Sequence, residues 1–201
     1  EAAVHKMTGL PAEFPGLELT VLAAAEWGES PDLLDHAKAE IARADIVVVS
    51  LLFLEDHIRA ILPALKARRD HCDAMAGIIA DTQIVKLTRM GTLDMAAPES
   101  TTMRFLKTLR GPGKPSVDNG ARKMRMLRRL PKILSLIPGK AQDLRAWFLT
   151  MQYWLGASDD NVESLVRFLI SRYCSRPDWR GIAAAAPQEY PDCGLYHPDL
   201  P

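Results

Sequence analysis

Three polar residues, Glu55, Asp56 and His57, directly follow a long apolar run in the sequence. The run, residues 46–54, is interrupted by a single polar residue, Ser50, and is rich in valine. Neighbouring carboxylate and imidazole groups can bind a metal ion or transfer protons in general acid–base catalysis. Asp56 could equally cap the helix expected to follow, which is the more common role for an aspartate there. Both interpretations stay open.

A second candidate is the basic tract at residues 121–132, which contains Arg122, Arg125, Arg128 and Arg129. Such a tract can bind nucleic acid, an anionic membrane surface or a carboxylate ligand. It holds no aromatic residue on which bases could stack, which argues against single-stranded nucleic acid. Most tracts of this kind are solvated faces or contact an acidic neighbour.

A third candidate is an aromatic cluster around Trp147 and Trp154, which also includes Phe148, Met151 and Tyr153. Its side chains could hold a flat hydrophobic ligand. Their helical spacing is more typical of a helix that packs into a core.

Buried strands and amphipathic helices alternate around these candidates. The valine-rich run predicts a strand buried on both faces, because unbroken β-branched residues suit such a position. The predicted elements are strands at 17–24, 46–53 and 74–80 and helices at 31–44, 56–69 and 82–90, the last ended by Gly91.

This alternation predicts an α/β fold with a parallel sheet and flanking helices, of the Rossmann or flavodoxin-like type. Residues 1–7 resemble the tail of a helix, so we expect a first strand before Glu1. We predict an α/β domain at 1–91, a linker with a Gly/Pro-rich loop at 92–120, a helical segment at 121–176 and an irregular tail at 177–201. Ligands of such sheets collect at the carboxyl ends of the strands.

Composition excludes several classes of function. The 201 residues include 25 basic and 25 acidic ones, but residues 104–142 alone carry 11 basic residues and one acidic residue. Three distant cysteines form no disulfide or zinc pattern, which indicates a reducing, cytoplasmic location. The sequence contains no phosphate-binding glycine motif and no apolar run long enough to span a membrane.

Five segments resemble the amino-terminal part of a known family, the large H subunit of magnesium chelatase, in its bacteriochlorophyll branch. They are residues 44–65 (ADIVVVSLLFLEDHIRAILPAL), 68–79 (RRDHCDAMAGII), 85–95 (VKLTRMGTLDM), 126–162 (beginning MLRRLPKILSLIPGK) and 194–201 (GLYHPDLP). The helical block at 127–161 is the most specific. The GLYHP segment is shared with the large cobaltochelatase subunit.

The resemblance implies a parent protein that binds protoporphyrin IX and inserts Mg²⁺ into it for bacteriochlorophyll synthesis. It also implies two AAA+ ATPase partners, of the I and D types, which use ATP. The catalytic residues are expected outside these 201 residues, and the isolated chain is expected to be inactive, with no metal or cofactor of its own.

Two roles for the chain stay open within this family. Trp147, Trp154 and the four arginines at 122–129 could form a porphyrin-facing wall, because arginine binds carboxylates such as propionates through two hydrogen bonds. Alternatively, the chain docks the ATPase subunits, with peripheral membrane contact also open. We expect no nucleic-acid partner.

Two alternatives lie outside this assignment. One is a cobaltochelatase-type large subunit. The other is a non-enzymatic flavodoxin-like or receiver-like binding domain, in which Asp81, after the third strand, would be the phosphorylated residue; only fold analogy supports it.

Overall fold

The computed structural model describes residues 10–28, 30–97 and 141–188. Its helices are α1 (Leu10–Glu13), α2 (Pro31–Arg43), α3 (Glu55–Arg69), α4 (Thr82–Val85), α5 (Ala141–Gly156) and α6 (Asp159–Tyr173). Its strands are β1 (Ile46–Ser50), β2 (Ala74–Ile78), β3 (Arg89–Met90) and β4 (Leu93–Asp94). Two 3₁₀ helices cover Ala24–Gly28 and Pro177–Trp179. In the described part of the chain, no helix is long and apolar enough to cross a membrane.

The four strands form one sheet in the order β1-β2-β3-β4. β1 and β2 are parallel, with Ile46 opposite Ala74 and Ser50 opposite Ile78. The α/β class is therefore confirmed. The sheet is mixed: β1 and β2 form the expected parallel pair, whereas β3 and β4 both run antiparallel to their neighbours.

The region after β2 differs most from the predicted helix at 82–90. Helix α4 ends at Val85, and β3 and β4 then form a hairpin with Gly91 and Thr92 between them. Gly91 has a φ of 56° and begins the turn of the hairpin. A positive φ suits glycine at the tip of a hairpin as well as at a helix end, so Gly91 alone could not distinguish the two structures.

The predicted strand at 17–24 is also absent. Residues 17–23 have no regular secondary structure, and a 3₁₀ helix begins at Ala24. Their apolar side chains are largely exposed, at 44% for Leu19 and 67% for Val21. A strand needs a hydrogen-bonding neighbour as well as a favourable sequence, and β1, which faces this segment, pairs with β2 alone among the described strands.

Helices cover both faces of the sheet. On one face, α2 and α3 pack through Ala37, Ile58, Ile61 and Leu65 against the sheet. On the other face, α5 and α6 pack on β2 and the hairpin through Trp147, Phe148, Leu165 and Leu169. Leu10 and Phe14 extend this second layer, because they cluster with Ile170, Cys174 and Trp179.

Strand β2 lies between the two layers, and all five of its residues are buried. Gly77 is needed here, because a Cβ atom would lie 2.5 Å from the carbonyl oxygen of Ile84. The Gly77 carbonyl accepts hydrogen bonds from Trp147 Nε1 at 3.0 Å and from Thr88 Oγ1 at 3.3 Å. The absent side chain therefore lets α4 and the hairpin approach the strand closely.

Strand β1 is less buried than its apolar sequence predicts. Val47 is buried, but Val48 is 36% exposed, and the other three residues have intermediate burial. The prediction of a strand buried on both faces is wrong for β1, and β2 is the strand that has this burial. The difference arises because β1 is the outer strand of the described sheet.

Asp143, in the first turn of α5, fixes the hairpin to the helical layer. Its carboxylate accepts hydrogen bonds from the Thr92 backbone N–H and Oγ1, both at 2.8 Å, and from the Tyr173 hydroxyl at 3.0 Å. Burial opposes ionisation, but these hydrogen bonds and Arg172 outweigh it and lower the pKa of the Asp143 carboxyl. Burial also raises the pKa of the Tyr173 hydroxyl well above its usual value.

We predict that Asp143→Asn lowers the free energy of unfolding at pH 7 by about 2 kcal/mol, since hydrogen bonds to a charged group contribute about 1.5–3 kcal/mol each and are not additive. Urea unfolding measures the change. The matched control is Asp178→Asn, because Asp178 is 58% exposed and forms a surface ion pair with Arg176. Its loss should be under about 1 kcal/mol.

The difference in stability between the wild type and Asp143→Asn should also depend on pH. Because folding lowers the pKa of Asp143, its contribution is complete above the unfolded pKa of about 4 and is lost as the pH falls through the folded-state value. The stability difference between wild type and Asp143→Asn should therefore narrow below about pH 4. A difference that stays constant down to about pH 2 would contradict this assignment.

Candidate functional site

The carboxyl ends of β1 and β2 form one edge of the sheet. Beyond β1, the Leu51 N–H donates to the Ile79 carbonyl at 3.0 Å, and the Asp81 N–H donates to the Leu52 carbonyl at 2.9 Å. These two bonds hold the loop after β1 against the loop after β2. The two loops therefore form a continuous surface at the end of the parallel pair, which is where α/β sheets bind ligands.

Two residues at this edge have strained backbones. Leu51, which follows β1, has a φ of 55°, and Ile79, which follows β2, has a φ of 46°. A left-handed conformation costs a residue other than glycine about 1–2 kcal/mol, and Ile79 is β-branched as well. Strain of this kind persists where surrounding contacts enforce it and is enriched at functional positions.

The edge also exposes large apolar side chains. Leu51, Phe53 and Leu54 are 61%, 58% and 63% exposed, whereas Leu52 between them is buried at 5%. We call Leu51, Phe53 and Leu54 the apolar tip. Adjacent exposed apolar groups are characteristic of a surface that another molecule covers.

The predicted acid–imidazole group adjoins the apolar tip but does not converge on one point. Glu55 and Asp56 are exposed in the first turn of α3. Glu55 lies 3.6 Å from Arg59 in an ion pair along the helix. His57 is half-buried and has its ring against that of Trp27, with centroids 5.7 Å apart. In this arrangement Glu55 and His57 have separate neighbours, Arg59 and Trp27.

The capping role considered for Asp56 is wrong. The N-cap of α3 is Leu54, whose side chain makes no capping hydrogen bond. Glu55 and Asp56 instead lie in the first turn, where negative charge interacts favourably with the helix dipole. By contrast, Ser158 caps α6, where its side chain accepts a hydrogen bond from the Asn161 N–H at 3.2 Å.

Asp81, the residue of the receiver-like alternative, caps α4. Its Oδ1 accepts a hydrogen bond from the Gln83 N–H at 2.8 Å. This carboxylate therefore has a structural role at the tip of β2. Among the described residues, no group of three or more His, Cys, Asp or Glu side chains is placed to hold a metal ion.

The two tryptophans proposed for porphyrin contact have different environments. Trp147 is 6% exposed, donates its indole N–H to Gly77 and packs edge-on against Phe148, with ring centroids 5.0 Å apart. Trp154 is partly buried and packs at the margin of the same core. The four arginines of the proposed wall, Arg122, Arg125, Arg128 and Arg129, lie outside the described residues.

Two features of this part of the molecule were not predicted from the sequence. The Asp143 cluster joins residues about 50 positions apart, and no local motif marks Asp143 or Thr92. Most of the apolar tip was included in the strand predicted at 46–53, because Leu51 and Phe53 continue the valine run. The acidic pair at 55–56 was the available signal that the strand ends earlier.

Comparison with known families gives one match over most of the chain. Residues 2–148 match the family model described as a domain of unknown function, DUF3479. The chain belongs to the DUF3479 family. The match begins before α1 and ends within α5, so this DUF3479 chain contains the whole described sheet within the matched range.

The DUF3479 chain is also similar to curated relatives. It is 55% identical to the magnesium-chelatase H subunit of Rhodobacter capsulatus over 99% of its own length and 17% of the relative's. It is 58% identical to the corresponding protein of Cereibacter sphaeroides over 96% of its length and 16% of the relative's. Identity to the chloroplastic ChlH protein of rice, also a magnesium-chelatase subunit, is 26% over the whole chain and 14% of the relative.

The similarity falls on the amino-terminal region of these H subunits, as the quoted segments implied. The DUF3479 chain spans only about a sixth of the two bacterial relatives. Activities of those relatives therefore belong to much longer proteins.

We predict that Leu54→Ser raises the free energy of unfolding by about 1 kcal/mol relative to Leu54→Ala, because serine can accept the unsatisfied N–H bonds at the start of α3. Urea unfolding of the two variants measures the difference. Both substitutions remove the exposed leucine, so the comparison isolates the cap. Equal midpoints would contradict the assignment of Leu54 as N-cap.

Proposed function

We propose that this chain is the amino-terminal part of a magnesium-chelatase H subunit. The parent protein, meaning the longer polypeptide that contains it, would bind protoporphyrin IX and insert Mg²⁺ for bacteriochlorophyll synthesis. Identity of 55% and 58% to two bacterial H subunits over nearly the whole chain carries this proposal. The catalytic residues would lie in the remainder of the parent protein.

The wider assignment follows from the same proposal. AAA+ subunits of the I and D types would be the partners and would hydrolyse ATP, and the complex would operate in the cytoplasm. The chain itself would be inactive in isolation. A cobaltochelatase-type parent is less well supported, because the relatives that match this chain at 55% and 58% are named as magnesium chelatases.

Within the chelatase, we propose that the apolar tip is a docking surface for the ATPase partner subunits. Three exposed large side chains at one strand end, beside exposed Glu55 and Asp56, support this role. A buried aromatic anchor surrounded by polar groups is the usual arrangement of an interface hot spot, and Phe53 would be that anchor.

The test is Phe53→Asp in the parent protein, assayed for Mg²⁺ insertion into protoporphyrin with the two ATPase subunits. We expect the partner concentration at half-maximal rate to rise at least about tenfold, equivalent to about 1.4 kcal/mol, with porphyrin affinity unchanged. The control is Leu155→Asp, because Leu155 is 51% exposed at the end of α5, in another part of the chain. Equal effects of the two substitutions would contradict docking through the tip.

Porphyrin contact is the second proposal for this chain. Trp154 is partly buried at the margin of the helical core, and the arginines at 122–129 would meet the propionates. Trp147 could take part only if its hydrogen bond to Gly77 were broken, because it is 6% exposed.

Titration of the chain with a soluble porphyrin tests this second role through tryptophan fluorescence. Porphyrin contact predicts saturable quenching that weakens in Trp154→Phe, with Trp147→Phe as the buried comparison. If the folded chain shows no saturable quenching, the porphyrin-wall role is wrong and the binding site lies elsewhere in the parent protein.

A further inference from the structure

The outer edge of β1 directs backbone hydrogen-bonding groups towards a region in which the structure describes no strand. Asp45 and Leu51, on either side of β1, direct backbone groups to the β2 side, where Asp45 O accepts from Asp73 N–H at 2.7 Å and Leu51 N–H donates to Ile79 at 3.0 Å. Alternate residues of a parallel strand direct their backbone groups to opposite edges. The N–H and C=O groups of Ile46, Val48 and Ser50 therefore point away from β2, towards an edge with no described strand.

A cavity of about 500 Å³ runs along this edge. One side is β1 and the opposite side is the irregular segment 16–22. Helices α2 and α3 contribute Ala37, Ile61 and Leu65, and α6 contributes Leu165 and Leu169. The cavity thus lies between two chain segments and has apolar helix residues on its other two sides, and Glu40 and Arg43 of α2 also line it. A strand that lies inside a sheet occupies the same environment.

Side chains on both sides of the cavity are more exposed than their sequence predicts. Leu19, Val21 and Leu22 are 44%, 67% and 38% exposed in the segment, and Val48 is 36% exposed in β1. Both segments have strand-like sequences, and neither has the burial that such sequences favour. One missing neighbour between them accounts for both observations.

The helix positions indicate where in the polypeptide that neighbour lies. Parallel strand–helix–strand connections are right-handed in about 98% of cases, so the direction in which the chain crosses a sheet determines which face its helix covers. The connection from β1 to β2 runs through α3, and the connection from segment 17–23 to β1 runs through α2. Helices α2 and α3 lie on the same face of the sheet, so both connections cross the sheet in the same direction.

Helix α1, which precedes segment 17–23, lies on the other face. Its Leu10 clusters with Phe14, Ile170 and Trp179, in the layer of α6. Because the connections are right-handed, a helix on that face connects two strands in the opposite direction across the sheet. The connection through α1 therefore runs away from β1 and towards segment 17–23. The strand that leads into α1 must therefore lie on the β1 side of that segment, which is the position of the cavity.

We propose that a strand from the parent protein, upstream of Glu1, inserts into this cavity parallel to β1. Segment 17–23 then becomes the outer strand, and the sheet order is 17–23, inserted strand, β1, β2, β3, β4. The inserted strand gives hydrogen-bond partners to the backbone N–H and C=O groups of Ile46, Val48 and Ser50, as in β-strand addition. The inserted residues are uncharged and aliphatic, because helices cover both faces. This inference rests on the proposed assignment of the chain to a longer parent protein, but not on the activity of that protein.

The chain covers only 16–17% of the two bacterial relatives, so a parent protein of their length contains further polypeptide, and the position of α1 assigns the strand to the part upstream of Glu1. An aliphatic strand of the same polypeptide also needs no encounter with a second molecule, so its effective concentration is high. A second copy of the chain is the competing occupant, and it would give pairing that depends on protein concentration.

Residue-resolved hydrogen–deuterium exchange on the intact parent protein tests the proposal. We expect the amides of Ile46, Val48 and Ser50 to exchange about 100-fold or more slowly than unprotected amides, as in a paired strand, at every protein concentration. Free exchange at these three amides overturns the proposal. Protection that disappears on dilution also overturns it, because it identifies a second copy as the occupant.

A truncated parent protein that begins at Glu1 identifies the segment. The three amides should lose their protection, while those of Val47 and Val49, which face β2, keep theirs. A synthetic peptide with the deleted sequence should restore protection, whereas a scrambled peptide should not. Undiminished protection after truncation overturns the upstream assignment.

A second variant decides the question if the truncated protein fails to fold. Val48→Pro in the intact parent removes the N–H that would pair with the inserted strand, and Pro is tolerated only at an unpaired edge. We expect exchange at Ile46 and Ser50 to rise at least about tenfold, with Val48→Thr as the control that keeps the N–H. Unchanged exchange in Val48→Pro shows an open edge and overturns the proposal.

Discussion

Burial of β2 on both faces is the constraint on which the rest of the structure depends. A strand between two helical layers can hold only small or closely packed side chains, and β2 reads Ala-Met-Ala-Gly-Ile. At Gly77 the missing Cβ admits the backbone of Ile84 from one side, while Trp147 and Thr88 bond to the Gly77 carbonyl. The hairpin, α4 and α5 are all positioned by this one residue.

This arrangement explains why the aromatic cluster is structural at Trp147. An indole buried beside a carbonyl needs a hydrogen bond, because an unsatisfied N–H in the core costs about 1–3 kcal/mol. The Gly77 carbonyl meets this need only when α5 packs directly on β2. The helix spacing of the aromatic residues therefore reflects attachment to the sheet, as its periodicity indicated.

Sequence patterns predicted the elements whose signals are local. The apolar run gave the start of β1, and the amphipathic stretch after it gave both ends of α3 to within about two residues. Helices α5 and α6 lie within the predicted helical segment at 121–176. The strand predicted at 17–24 is absent because a strand-like sequence forms a strand only beside a hydrogen-bonding neighbour. The helix predicted at 82–90 is too long because Gly91 suits the turn of a hairpin as well as the end of a helix. Asp143 could not be found, since its partners Thr92 and Tyr173 are distant in sequence.

The domain boundaries proposed at 91 and 120 remain predictions, as does the helical character of residues 121–140, which the structure does not describe. The structure places β4, at Leu93–Asp94, in the same sheet as β1. It also places α5 against β2 in one apolar cluster. The helical layer thus takes part in the core of the sheet, and the stability of the two parts is coupled through Asp143.

The proposed strand insertion bears on the apolar tip. With a strand between segment 17–23 and β1, the connection through α1 would cross the sheet in one direction. The connections through α2 and α3 would cross it in the opposite direction. The order of a doubly wound sheet reverses at such a point, and its ligand crevice opens at the carboxyl ends of the strands on either side. β1 is one of those strands, and Leu51, Phe53 and Leu54 follow it directly. Exposed apolar groups and a strained Leu51 would then line the crevice that this fold class uses for recognition, so docking at the tip and completion of the sheet would depend on the same edge.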